Sequence, residues 1–151
     1  MHQTQTVTRS EAAFTILNAI KEIYDEKGSC IVAIDGNSGA GKSTLGAQIA
    51  AASHGTLLHT DDFFLPPKLR TEERLKIPGG NIDYDRFYKE IITGISSGKS
   101  FNYRAFSCKN GEYSVKRAKC APIYIIEGVY SLHPKWQENI DLKVFMSVSY
   151  D

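Results

Sequence analysis

The run Gly36-Asn37-Ser38-Gly39-Ala40-Gly41-Lys42-Ser43-Thr44 follows directly on the apolar stretch Cys30-Ile31-Val32-Ala33-Ile34-Asp35 and leads into the helix-forming stretch Leu45-Gly46-Ala47-Gln48-Ile49-Ala50-Ala51-Ala52. The continuous apolar residues Ile31 to Ile34 suit a central parallel strand buried on both faces. What comes next meets the pattern G-x-x-x-x-G-K-[ST] at each fixed position. A loop that turns several backbone N–H groups inward around a polyphosphate needs glycine where a side chain would collide or where φ must be positive. Gly36, Gly39 and Gly41 meet that need. On this reading Gly36 through Thr44 bind ATP, with Lys42 reaching the β- and γ-phosphates and Ser43 offering its hydroxyl to Mg²⁺. The helix starting near Gly41 then points its positive end at the anion. A plain glycine-rich turn is the bland alternative, but it does not require a strand before it and a helix after it.

The chain of 151 residues, 42% of them hydrophobic, holds one domain and one buried core. A formal charge of +1 argues against a nucleic-acid partner, which would call for clustered excess Lys and Arg. No apolar run approaches the ~20 residues of a membrane span, and Met1-His2-Gln3-Thr4-Gln5-Thr6 lacks the form of a signal peptide. A cytoplasmic protein without a membrane partner is therefore expected, and a homo-oligomer is compatible with the sequence. Cys30, Cys108 and Cys120 show no C-x-x-C spacing and lie in or beside expected strands, so they read as buried free thiols.

Ser10 is a good N-cap for an amphipathic helix carrying Ala13, Ile16, Leu17, Ile20, Ile23 and Tyr24 up to Gly28. After the loop's helix, Gly55 to Thr60 reads as a short strand with two acids, Asp61 and Asp62, at its carboxyl end, the edge where ligands bind in open α/β sheets. Both can simply cap a turn. A carboxylate beside a γ-phosphate is also what a kinase uses to accept a hydroxyl proton, and Asp61 is the preferred candidate. Phe63-Phe64-Leu65-Pro66-Pro67 leaves the sheet, and Lys68 to Gly80 reads as a mobile connection with one short helix near Glu72 to Leu75 and a solvated Arg70, Arg74 and Lys76. Asn81 to Asp85 precedes a helix with Phe87, Tyr88, Ile91 and Ile92. Asp83 or Asp85 can cap it, and a carboxylate receiving a substrate's hydroxyls is the functional rival.

Phe101 to Cys108 and Glu112 to Lys119 flank Asn110-Gly111, a strong hairpin signal. A two-residue turn there sets Phe106 opposite Val115, Tyr103 opposite Ala118 and Arg104 opposite Arg117, with one apolar face and one mixed face bearing Tyr103, Ala105 and Ser107. Ile123 to Ile126 is an apolar strand ending in Glu127-Gly128, a third strand-end acid that suits Mg²⁺ held directly or through water. Pro134 to Asn139 reads as a short helix and Leu142 to Val148 as a last strand.

The phosphate loop, Thr60-Asp61-Asp62-Phe63-Phe64, Asn81-Ile82-Asp83, the Tyr103 hairpin and Ile126-Glu127-Gly128, in that order, resemble the uridine kinase family of P-loop nucleoside kinases, relatives of phosphoribulokinase and pantothenate kinase. The resemblance runs from about Ile31 to Val148. It implies a three-layer α/β P-loop fold with a largely parallel sheet, the strand Ile31 to Ile34 lying between Ile123 to Ile126 and Val144 to Val148, and a small hairpin over the substrate site. It implies Asp61 as catalytic base with Lys42, Asp83 on the ribose hydroxyls, Tyr103 on the base with Phe64 and Asp61 also lining the substrate, and Ser43, Glu127 and Asp61 serving Mg²⁺.

Two departures stand out. Counting from Tyr103, the family's base-reading histidine position holds Cys108, and the family continues past its last matching strand into an arginine-bearing lid helix and another strand, whereas this sequence ends at Asp151. The expectation is a single domain over 1–151 without that lid, binding ATP better than it turns over. The functional expectation is transfer of the γ-phosphate of ATP to the 5′-hydroxyl of a nucleoside. Rivals are a kinase of another small alcohol such as pantothenate, and a weakly active nucleotide-binding module. A guanine-nucleotide switch would carry N-K-x-D, which is absent.

Overall fold

The computed structural model describes residues 4–37 and 39–147. Helix α1 (Arg9–Lys27) starts at Thr8, two residues before the expected cap, and Gly28 closes it with a left-handed φ of 76°. Thr8 is the N-cap with extended backbone, its carbonyl accepting the Glu11 N–H at 3.1 Å and its hydroxyl donating to Glu11 Oε1 at 2.6 Å. Strand β1 (Cys30–Gly36) feeds the phosphate loop and α2 (Lys42–Ser53), and β2 (Thr56–His59) follows. Short helix α3 (Glu72–Leu75) falls where expected. One turn of α4 (Tyr84–Phe87) continues as a π-turn over Tyr88–Ile92 into α5 (Thr93–Ser96). Strands β3 (Phe101–Phe106) and β4 (Tyr113–Ala118) form the hairpin, and β5 (Ile123–Glu127) and β6 (Leu142–Met146) complete the sheet.

The main sheet is parallel in the order β2-β5-β1-β6, so β1 lies between β5 and β6 as expected. Period-2 alternation splits its side chains between two cores. Cys30, Val32, Ile34, Ile123 and Ile125 pack under Ile16 and Ile20 of α1 and Leu45 and Ile49 of α2. Ala33, Leu58, Tyr124 and Ile126 face Phe63, Ile82, Phe87, Ile91 and Trp136 on the other side. This is the three-layer α/β arrangement of a P-loop domain. Among the described residues no helix is long and apolar enough to cross a membrane.

Several expectations are corrected. Hairpin pairing runs Phe101 to Ala118 through Phe106 to Tyr113, two residues away from the expected register, so Arg104 faces Val115 and Tyr103 faces Lys116. The cause is a longer loop: Ser107 pairs with Glu112 (2.9 Å) and accepts the Gly111 N–H (2.8 Å), while the Asn110 side chain accepts from the Glu112 N–H (2.9 Å) instead of occupying a two-residue turn. A shift of two keeps each side chain on its face, but the packed face is the one with Tyr103 and Ala105, and Val115 is 71% exposed. Cys30 is buried, whereas Cys108 and Cys120 are exposed free thiols. The connection Lys68 to Gly80 is tied down: Arg74 donates to the carbonyls of Gly80 and Ile82 (both 3.1 Å), and Arg70 Nε donates to that of Leu65 (2.5 Å). Sequence periodicity is blind to such side chain-to-backbone staples. Between Pro134 and Asn139 only Gln137–Asn139 is helical, as a 3₁₀ turn. Val148 of the expected last strand lies outside the described residues.

A stack closes the layer opposite the loop's helix. The Arg74 guanidinium lies 4.0 Å over the Tyr84 ring, Tyr84 stacks on His133 at 4.8 Å, and His133 stacks on Trp136 at 4.9 Å. His133 Nδ1 accepts the Lys135 N–H at 3.0 Å, which requires that nitrogen to be unprotonated. Burial, then the charges of Lys135 and Arg74, hold this imidazole below its ordinary value of 6.5. A depressed histidine stabilises the fold above its unfolded value and loses that contribution as pH falls through the folded value. Thermal melts from about pH 7 down to about 5 should show a falling melting temperature, and His133→Phe, which keeps the stack, should remove that component.

Candidate active site

The carboxyl edge of the sheet collects the site. β1 ends in Gly36, whose φ of 148° and whose position, with a hypothetical Cβ 2.3 Å from the Met146 carbonyl oxygen, admit no side chain. Gly36→Ala must therefore strain the backbone or push β6 away, at roughly 1–3 kcal/mol of stability, measurable by denaturant unfolding. Gly39 and Gly41 also take positive φ, 81° and 89°. Lys42, only 8% exposed, turns its ammonium back across the loop to the Asn37 carbonyl at 2.8 Å, and the Ala40 N–H meets the same oxygen at 3.1 Å. Ser43 and Thr44 sit in the exposed first turn of α2. Ser38 lies outside the described residues.

Glu127 is the last residue of β5 and 3% exposed. Strand alternation places it on the α2 side, where Gly46 brings the helix within 3.2 Å of its Cγ by the measure of an added Cβ. One carboxylate oxygen, Oε1, meets the Ser43 hydroxyl at 3.5 Å and His59 Nδ1 at 2.5 Å. His59 stands opposite Glu127 in the β2–β5 register. The hydrogen bond to Glu127 raises the imidazole above its ordinary value, against partial burial. No motif drew attention to His59; the available signal was its place at a strand end, two residues before Asp61.

Asp61 and Asp62, twins in the sequence, separate in space. Both lie in a 3₁₀ turn, Thr60–Phe63. Asp62 binds Lys116 Nζ through both oxygens at 3.3 Å. Asp61 has no hydrogen-bond or ion-pair partner among the described residues. Asp61 is exposed at its surface, yet partial desolvation of its carboxyl and the neighbouring Glu127 charge push it above the usual range, opposed by His59 and Lys42. A carboxylate so placed is a better proton acceptor than an ordinary one.

The segment after the turn pairs with Asn81 to Asp83: Leu65 N–H bonds to the Asn81 carbonyl (2.8 Å) and Asp83 N–H to that of Phe63 (2.7 Å). Phe64 is half-buried against the core. Asp83 caps α4, accepting the Arg86 N–H at 3.4 Å. Its Oδ2 lies 3.4 Å from Arg86 Nε, close enough for charge attraction without hydrogen-bond geometry. Tyr103 is 7% exposed and stacked on Phe63 at 5.9 Å; burial, with the Asp62 charge, pushes its phenol up to about 12. The ring is therefore packed into the core, and any ligand contact falls to its edge. Sequence reasoning missed Arg86. Buried over the Phe63 ring at 4.2 Å, it donates to the carbonyls of Arg104 (2.5 Å) and Asp62 (3.3 Å), joining hairpin, turn and α4.

Among the described residues no group of three or more His, Cys, Asp or Glu is arranged to hold a metal by itself. The expected trio of strand-end acids is thus not a ready-made cage. The converging hydroxyl of Ser43 and carboxylate of Glu127 nonetheless fit Mg²⁺, which takes one or two protein oxygens and completes its shell with water and substrate phosphate.

No family model matches the chain. Over 147 residues, 94% of the chain, it is 28% identical to uridine-cytidine kinase C of Dictyostelium discoideum, and it spans about a third (32%) of that protein's length. A solved structure of a possible uridine kinase from Bacillus stearothermophilus superposes with a TM-score of 0.67 and 17% identity, covering 87% of this chain and 80% of that one. In sequence over nearly its whole length, and in fold, this chain is similar to the uridine kinase-like P-loop proteins.

Proposed function

We propose that this chain carries the catalytic core of an ATP-dependent phosphotransferase that moves the γ-phosphate of ATP to the 5′-hydroxyl of a nucleoside of the uridine or cytidine type. The observation that carries the reading is the meeting, at one sheet edge, of a phosphate loop with Lys42, a Ser43–Glu127 oxygen pair and an unpaired Asp61 of raised pKa. Loop amides and Lys42 hold the polyphosphate, and these contacts are available to the charge that develops on the transferred group. Ser43 and Glu127 would hold Mg²⁺, which when bound neutralises phosphate charge. Asp61 accepts the proton of the attacking hydroxyl. Asp83, Phe64 and Tyr103 lie on the acceptor side, next to the Asp61 turn.

The similarity to a uridine-cytidine kinase favours a pyrimidine nucleoside as acceptor. Cys108, exposed in the hairpin loop, is where the base preference can deviate. The test is a phosphate-transfer assay of the chain with ATP or GTP against uridine, cytidine, purine nucleosides and pantothenate, with products resolved chromatographically. Formation of a nucleoside 5′-monophosphate is expected. Transfer to pantothenate alone would move the assignment to another small-alcohol kinase, and nucleotide binding without any transfer would leave a binding module.

A further inference from the structure

Asp35 is the residue between the β1 core and the first glycine of the loop. Alternation puts its side chain on the face opposite Glu127, away from α2, and there its carboxylate accepts three backbone N–H groups. Oδ1 takes those of Gly36 (2.7 Å) and Tyr130 (3.1 Å), and Oδ2 takes that of Leu132 (3.0 Å). Gly36 opens the phosphate loop, while Tyr130 and Leu132 belong to the segment that leaves Glu127.

That segment is under backbone strain. Tyr130 has φ of 63°, an unfavourable state for a bulky residue, which persists only where the surroundings over-determine it. Asp35 supplies one restraint. Others tie it to the sheet edge: the Gly128 N–H bonded to the Ile34 carbonyl (3.0 Å) and the Thr60 hydroxyl bonded to the Val129 carbonyl (3.1 Å). Gly128, with φ of 133° and an added Cβ only 2.0 Å from Thr60 Oγ1, fits under that threonine only as glycine. Glu127 therefore emerges from a segment bolted to β1 on one side and to the Asp61 turn on the other. Asp35 is the only side chain among these restraints that also holds the phosphate loop.

We infer that Asp35 is the positioning residue that couples the phosphate loop to the Glu127 arm, so that nucleotide held in the loop and cation held by Ser43 and Glu127 strengthen each other's binding. The inference rests on the phosphate-loop and Mg²⁺ reading above. Charge alone does not provide the coupling: Oδ1 must accept from both loops at once while Oδ2 holds Leu132. An amide at this position keeps the shape but turns one acceptor into a donor facing an N–H. Glutamate keeps the charge but displaces the oxygens by a methylene.

The experiment is calorimetric titration of ATP with and without Mg²⁺ on the parent chain and on Asp35→Asn, Asp35→Glu, Glu127→Gln and Asp35→Asn/Glu127→Gln. Affinity for Mg²⁺-free ATP should fall in both Asp35 variants by much less than affinity for Mg²⁺-ATP does. The factor by which Mg²⁺ tightens ATP should fall by about tenfold or more in each, in line with the 10–100-fold effect of losing an outer partner of a metal ligand. Glu127→Gln should lose the same factor, with Asp35→Asn adding nothing further in that background. Amide exchange at Tyr130 and Leu132 should speed up in Asp35→Asn.

Equal weakening of ATP with and without Mg²⁺, an unchanged Mg²⁺ factor, additive losses in the double variant, or failure of both Asp35 variants to fold would each reduce Asp35 to a structural residue and overturn the coupling. A parent chain that binds no ATP in either condition would overturn the phosphate-loop reading itself, and the coupling with it.

Discussion

Lys42→Ala is expected to abolish most of the thermal stabilisation that Mg²⁺ and ATP confer on the parent chain. Ligand that binds only the native state at about a hundred times its dissociation constant adds about 2.7 kcal/mol, a rise of ~5–10 °C for a chain of this size. The lysine stem is buried and its ammonium spans the loop, so the variant also loses the bond to the Asn37 carbonyl. That bond has a charged donor, is worth about 1.5–3 kcal/mol, and its loss lowers the melting temperature of the free protein. The comparison is therefore the shift on adding nucleotide within each protein, read by calorimetry or dye fluorescence. A parent that gains nothing, or a variant that gains as much, would show that the loop does not hold triphosphate.

Asp61→Asn should lower kcat by about a hundredfold or more, the scale of losing a general base, while ATP binding persists. The asparagine is nearly isosteric and the parent carboxylate has no partner among the described residues to lose. Asp62→Asn should do far less. Its carboxylate is engaged with Lys116, whose side chain is 48% exposed, and exposed pairs contribute only about 0–1 kcal/mol. What Asp62 gives to the architecture is its carbonyl, which Arg86 holds and which the substitution leaves in place. The acidic limb of the rate–pH profile should lie above the ordinary carboxylate range, since burial and Glu127 raise the Asp61 pKa, and it should vanish in Asp61→Asn. Similar losses at the two positions, or a greater loss at Asp62, would assign the base to the wrong residue of the turn.

Much of the frame was legible in the residues because it is local. Strand, glycine loop and helix stand consecutively at Cys30 to Ala52, and the apolar runs at Ile31, Ile123 and Leu142 carry enough pattern to read as strands of a buried sheet. Glu72 to Leu75 is a helix as read, and in the structure Thr71 caps it by accepting the Arg74 N–H three residues on. The strand order was a different matter. It came through resemblance, since period and propensity say nothing about which parallel strands become neighbours.

The tertiary structure decided whatever depends on which side chain meets which backbone group across tens of residues. The hairpin slid by two residues because Ser107, Asn110 and Glu112 satisfied one another's polar groups in a longer loop, a competition that the Asn-Gly signal does not encode. Arg74 and Arg86 look like solvated charge in one dimension, but in three they replace water with carbonyl oxygens beneath aromatic rings. Asp61 and Asp62 are chemically identical and adjacent. Only packing across the chain separates them: Lys116 gives Asp62 a partner, while desolvation and the Glu127 charge raise the proton affinity of Asp61, which has no partner among the described residues. Residue type and spacing thus determined that a phosphate loop and strand-end acids exist. Long-range packing decided which acid is poised, because desolvation and Coulomb interaction depend on distance in space and not along the chain.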